Sequence, residues 1–234
     1  MILILNTKSL LMDFFHGDFE YAMNEKILDD YSFVIPKTEI IDYIKSIISI
    51  PYEDFLYFLI SWDFPKIEPG DITQSSSFSA AEIEMCEAMI AEGNPGLDFL
   101  SIGKLFPQYC KSKSDWALRK YGENQVKTSK QLGLTFCYFN DWYLNCFGYV
   151  YGELSDSYKN SFIARTILRD PLYGSMMKSL IYRDITFNEF LVGLSDSTIS
   201  RRLPGIKRIL RYAIMEAKNN GITLGNAIHI LPPK

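Results

Sequence analysis

The stretch YGENQVKTSKQLGLTFCYFNDWYLNCFG, residues 121–148, restricts the fold more than any other part of the chain. Its first part is polar and cationic, with apolar residues at helical spacing and Gly133 as a natural C-cap. Its second part is aromatic and alternating on either side of Asn140-Asp141, the pattern of two short strands joined by a tight turn. A helix that runs straight into a hairpin makes this segment a mixed unit within a chain that otherwise reads as helical.

Upstream, residues 38–50 carry apolar residues at helical spacing, and residues 52–62 are apolar almost all round, with Pro51 placed to open the second helix. Residues 64–79 are rich in Pro, Gly and Ser and read as a linker. Ser79 and Glu82 match a capping box for a helix whose face carries Ile83, Cys86, Met89 and Ile90 and which ends at Gly93, Pro95 and Gly96. A short second helix is predicted over 97–107. A third, capped by Ser114 or Asp115, covers 112–122, and residues 123–133 continue it or start a fourth. Three helices and a hairpin are the layout of a winged helix-turn-helix, in which one helix enters the major groove and the wing touches backbone.

Downstream, helices are predicted over 155–171, ending near Asp170-Pro171, and over 172–184, with a short element at 186–194. Residues 195–221 predict a turn and then a long basic amphipathic helix with Ile206, Ile209, Leu210, Ala213 and Ile214 as its apolar stripe. The fold class expected is mainly α: an acidic helical N-terminal domain (1–72), a winged helix-turn-helix with a β-hairpin wing (73–150) and a basic helical C-terminal extension (151–234).

The formal net charge of -4 alone argues against a nucleic-acid binder. Its distribution does not: residues 1–100 hold 5 Lys and Arg against 18 Asp and Glu, whereas residues 101–234 hold 19 against 10. Such asymmetry points either to nucleic-acid contact by the basic half or to docking of the two halves on each other. No run reaches the roughly 18 apolar residues of a membrane span. The start lacks the basic and small-residue flanks of a signal peptide. The four cysteines and two histidines are scattered, so neither a zinc site nor a disulfide framework is expected, and reduced thiols suit a cytoplasmic protein. No cofactor is implied. No phosphate loop, dinucleotide fingerprint or nucleophile elbow is present, and a non-catalytic role is expected. The letters of a metal nuclease occur in FPKIEPGD and RDP without the strand-borne spacing. Paired acids such as Asp29-Asp30 and Glu53-Asp54 read as a solvated face.

The candidate reading surface lies on the helix from Glu123 to Leu132. With Val126 and Leu132 turned inward, Asn124, Gln125, Lys127, Thr128, Lys130 and Gln131 remain outside. Asn and Gln can bond an adenine edge in two places, Lys can reach guanine or phosphate, and Thr either. In the wing, Phe136, Tyr138, Tyr143 and Phe147 alternate with smaller residues, and Tyr138, Asn140 and Asn145 could bond phosphates. Ser195 or Ser197 would cap the last helix, whose first turns carry Arg201 and Arg202. Cations there oppose the macrodipole and invite an anion, either a phosphate or a carboxylate of the acidic half. Lys207, Arg208 and Arg211 extend the same basic surface.

The order IGKLFP, ALRKYGENQVKTSKQLGL, the hairpin closing in WYLNCFG, a helical pair around RTILRDPLYGSMM and STISRRLPGIKRIL resembles a winged-helix module of restriction-modification and phage-defence proteins, over residues 79–218. The resemblance implies that the run from Tyr121 to Gly133 leads into the wing, that the element around Arg201 and Arg202 closes the module, and that the partner is double-stranded DNA. In such proteins the module is often attached to a nuclease or helicase. Neither is present here, so a stand-alone DNA-binding or accessory subunit is implied, with a nuclease or ATPase encoded separately. Pro204-Gly205 departs from the pattern by interrupting the start of the closing helix. Two other readings stay open: a protein–protein subunit that uses the winged helix as a docking platform, and a dimeric transcription regulator with one recognition helix per half-site. They divide on where the acidic half points and on oligomeric state.

Overall fold

The computed structural model describes residues 7–17, 36–72, 81–94, 96–106 and 114–225 and, for 81–84, the backbone alone. Ser79, the Asp29-Asp30 pair, Cys110 and His229 lie outside the described residues, as do the side chains of Glu82 and Ile83. The fold is mainly helical with one two-stranded antiparallel hairpin. Ten α-helices are described. They are α1 (Thr7–His16), α2 (Lys37–Ser49), α3 (Tyr52–Ser61), α4 (Ala81–Ala91) and α5 (Phe99–Lys104), then α6 (Asp115–Gln131), α7 (Cys146–Tyr151), α8 (Asp156–Thr166), α9 (Pro171–Tyr182) and α10 (Asp196–Asn219). The strands are β1 (Thr135–Tyr138) and β2 (Asp141–Leu144). Among the described residues no helix is long and apolar enough to cross a membrane.

Short polar residues set most helix starts. Asp98, Ser114, Asn145, Asp170 and Ser195 each accept a backbone N–H of the first turn that the helix cannot pair internally. Pro36 and Pro51 precede α2 and α3 in extended conformation.

One open choice is resolved and three expectations are corrected. First, residues 123–133 continue the preceding helix rather than start a fourth: α6 is a single helix through Gly122. Second, the hairpin turns at Phe139-Asn140, both with positive φ (45° and 71°), one residue earlier than Asn140-Asp141. Asp141 therefore pairs with Tyr138, and Thr135 lies opposite Leu144 with its hydroxyl donating to the Val126 carbonyl at 3.1 Å. Third, the second strand stops at Leu144, and Phe147 belongs to α7, where it stacks on Tyr43 and meets Phe162 edge-on in the core. Fourth, α10 runs unbroken through Pro204 and Gly205. The proline ring sits on the exposed side, where loss of one backbone bond is balanced by the buried stripe that follows.

The core is continuous. α2 packs on α7 and α8, and α3 on α9 and α10, so the described parts of residues 1–72 and 151–234 meet through apolar faces. Tyr52 at the start of α3 reaches the carbonyls of Ala164 and Ala213. The expected linker is ordered where described: Phe64 packs against Gly174, and Ile72 is buried. α5 crosses α6 at backbone contact, because a Cβ on Gly103 would run into the Leu118 carbonyl and one on Gly122 into the Phe99 carbonyl.

Candidate functional site

The second half of α6 is largely inside the protein. Gln125, Thr128 and Ser129 are buried beside Val126, and the Thr128 hydroxyl donates to the Asn124 carbonyl one turn back. Thr128 therefore cannot reach a base edge. Lys127 is half-buried and tied to Glu123 at 2.7 Å, with Lys120 bonding the other Glu123 oxygen at 2.7 Å. These two lysines hold the Glu123 carboxyl below its ordinary range. Asn124 is half-buried and Lys130 exposed. Gln131 turns its Oε1 away from solvent, where it makes no hydrogen bond. The exposed side of α6 is at its other end, where Trp116, Arg119 and Lys120 reach solvent. The expected reading surface, set on Glu123 to Leu132, did not include these three.

In the hairpin, Asn140 stands at the tip beside Phe139, which is 82% exposed, and Tyr138 meets that ring edge-on. Asn145 is buried and used internally: its amide donates to the Gly133 carbonyl at 2.8 Å, and its oxygen caps α7 through the Gly148 N–H at 2.9 Å. It is not free for phosphate.

On α10 the basic residues divide. Arg202 is half-buried and donates to the backbone carbonyls of Pro69 and Ile72; burial, and then Arg201 beside it, lowers its affinity for a proton. Lys207 lies over the Phe187 ring at 5.3 Å. Arg201, Arg208 and Arg211 are exposed and share one face, opposite the buried stripe. At 1.5 Å per residue they span about 15 Å of helix. None of the three has an acidic partner among the described residues. The described acids of α2 and α3, Glu39, Asp42, Glu53 and Asp54, are exposed and do not pair with them. A groove of about 550 Å³ runs alongside, lined by Arg208, Arg211 and Tyr212 of α10 and by Asn160 of α8.

A second concavity, of about 810 Å³, lies at the C-terminal end of α6. Lys127, Lys130 and Gln131 form one wall, continued by Phe136 at the base of the hairpin. Phe15 and His16 of α1 and the segment Pro65–Asp71 form another, and Arg169, Asp170 and Leu172 the third. FPKIEPGD and RDP, far apart in the chain, thus meet here. Asp170 caps α9 through the Leu172 N–H at 2.9 Å and is deep in this cleft. Burial, together with the nearby Asp71, pushes its carboxyl up to about 6, against the pull of the backbone N–H groups of Leu172 and Tyr173 and of Lys130. The site residues expected from the sequence are therefore dispersed, with Lys127, Lys130 and Gln131 in the cleft, Asn140 at the hairpin tip and Arg201, Arg208 and Arg211 on the outer face of α10.

Among known proteins, no family model, no curated sequence and no solved structure matches this chain.

Proposed function

We propose that this chain is a non-catalytic DNA-binding or adaptor subunit of a restriction-type defence system, and that it holds the phosphate backbone of double-stranded DNA with α10. The observation that carries this reading is the line of Arg201, Arg208 and Arg211, exposed on one face with no acidic partner among the described residues; Glu216, which shares the groove of Arg208 and Arg211, is taken up by Arg165. Arginine presents a planar fork of donors suited to phosphate, and phosphate contacts position a protein without reading sequence. The winged-helix reading draws support from element order: α4, a single bridge residue (Leu97, paired with Trp142), α5, α6 and then the hairpin. Burial of Gln125 and Thr128 weighs against base reading by the second half of α6, so the contact proposed is to backbone. The exposed Phe139 and Tyr138 of the hairpin tip favour protein docking as the second reading.

The test is fluorescence anisotropy of a labelled duplex over a range of salt concentrations. Each phosphate contact contributes about 0.9 to the slope of log K against log salt. Arg208→Glu/Arg211→Glu should flatten the slope by about 1.8 and weaken binding at every sequence alike. An unchanged slope in this variant would remove α10 from the contact. No binding of wild type at low salt would end the DNA reading and leave the docking one.

A further inference from the structure

We propose that the outer face of α3 docks on the arginine face of α10 in a second copy of this chain, joining copies head to tail. The contact uses Arg208 and Arg211, but it needs no DNA and goes beyond phosphate binding.

The two sides of α3 differ in chemistry. Tyr52, Phe55, Leu56 and Leu59 are buried, whereas Glu53, Asp54, Tyr57 and Ser61 are exposed. The helix contains no Lys or Arg. Asp63, just past its end, is exposed as well. Glu53, Asp54 and Asp63 have no basic partner among the described residues. Nearby cations are used elsewhere. Arg165 lies over the inward rings of Tyr52 and Phe55 and pairs with Glu216, Lys178 donates to the Trp62 carbonyl, and Lys66 pairs with Glu68. Tyr57 stands one turn from Glu53 with 79% of its surface in solvent. A bare tyrosine flanked by uncompensated carboxylates fits a partner that presents arginines, because tyrosine and arginine dominate the energy of protein interfaces and a guanidinium can both fork onto a carboxylate and stack on a ring.

Such a partner face exists on every copy. Arg201, Arg208 and Arg211 line the exposed side of α10 without acidic partners among the described residues. Within one chain the two faces cannot meet. α3 packs on α10 through the buried sides of both helices, where the Tyr52 hydroxyl donates to the Ala213 carbonyl, so their outer sides point away from each other. Between chains they match in sign and in length. At 1.5 Å per residue, Glu53 to Ser61 spans about 12 Å and Arg201 to Arg211 about 15 Å. Arg208 and Arg211 are one turn apart, as are Glu53 and Tyr57, so one arginine can take the carboxylate while the other covers the ring. Because the two faces are different surfaces, the contact is heterologous and repeats from copy to copy unless a ring closes.

Light scattering and sedimentation equilibrium of the full chain, without DNA, test this. At low salt the weight-average mass should exceed that of one chain and rise with concentration; high salt, which screens exposed charges, should reduce it. Glu53→Arg/Asp54→Arg and Arg208→Glu/Arg211→Glu each reverse one face, all at exposed positions, and each should weaken association at least about tenfold. An equimolar mixture of these two variants should associate again, since each then offers the face that the other lacks, and that recovery shows both to be folded. The proposal is overturned by a wild type that stays monomeric at low salt at every concentration reached. Association that either variant retains overturns it too, as does a mixture no more associated than its components. Because DNA is absent throughout, failure here leaves the anisotropy test of α10 standing, and failure of that test leaves this one.

Discussion

Asp170 shows how one side chain can serve structure at a cost in charge. It caps α9, yet its deep position makes ionisation unfavourable, so that its folded carboxyl titrates near 6 against an ordinary 3.8. Between these values the folded protein holds a proton that the unfolded chain has released. Asp170 therefore adds stability that is fully present below about pH 4 and is lost as pH rises through about 6. Asparagine caps a helix about as well as aspartate. Asp170→Asn should accordingly raise the melting temperature at pH 7.5 and have little effect at pH 4. Thermal unfolding at the two pH values measures this. A loss of stability at pH 7.5 would mean that the carboxylate's bonds to the Leu172 and Tyr173 N–H groups outweigh its burial.

At the scale of elements, helix starts were legible where they depend on a short polar cap: Ser114, Ser195 and the Asp170-Pro171 boundary are all places where one residue settles the matter. The hairpin was legible as a hairpin, but its turn was not. Asn140-Asp141 is the better turn dipeptide, yet the structure places Phe139 at positive φ, a conformation costing of order 1 kcal/mol for such a residue. The strand register explains this, since it keeps Thr135 on the Val126 carbonyl and Leu144 in the core. Long-range packing overrode the local preference. Gly122 left the continuity of α6 open in the sequence; its role is to let α5 lie against α6 with no side chain between them. Adding a methyl group at that crossing forces the helices apart. Gly122→Ala should destabilise by about 1–3 kcal/mol from overpacking, offset by up to about 1 from better helix propensity. In a chain of this size that is a fall of several degrees in melting temperature. A rise instead would show that the crossing adjusts freely. The cleft was not legible, because its walls come from segments that nothing local connects.

At the scale of the whole molecule, the charge asymmetry was visible in the sequence, but the way its halves meet was not. They join through an apolar core fastened at one buried guanidinium. Arg165 of α8 pairs with Glu216 of α10 at 2.9 Å and donates to the carbonyls of Ile48 and Ile50, which are the unpaired end of α2. Its plane also lies over the Tyr52 and Phe55 rings of α3, at 5.0 and 5.7 Å. One side chain thus binds the acidic N-terminal helices to the basic C-terminal ones. Removing it strands the Glu216 carboxylate and two carbonyls, and truncating one member of a buried pair costs about 3–5 kcal/mol. Arg165→Ala should lower the denaturation midpoint strongly while the transition stays single. Circular dichroism and the fluorescence of Trp62, Trp116 and Trp142 should report the same midpoint, because α2, α3, α8 and α10 lose their common fastening together. If the N-terminal helices instead formed an independent unit, the two signals would separate and only part of the amplitude would shift. Coincident transitions would also bear on DNA binding: a basic face anchored to the rest of the fold through α8 and α10 is a rigid surface, and its arginines keep their spacing before any phosphate arrives.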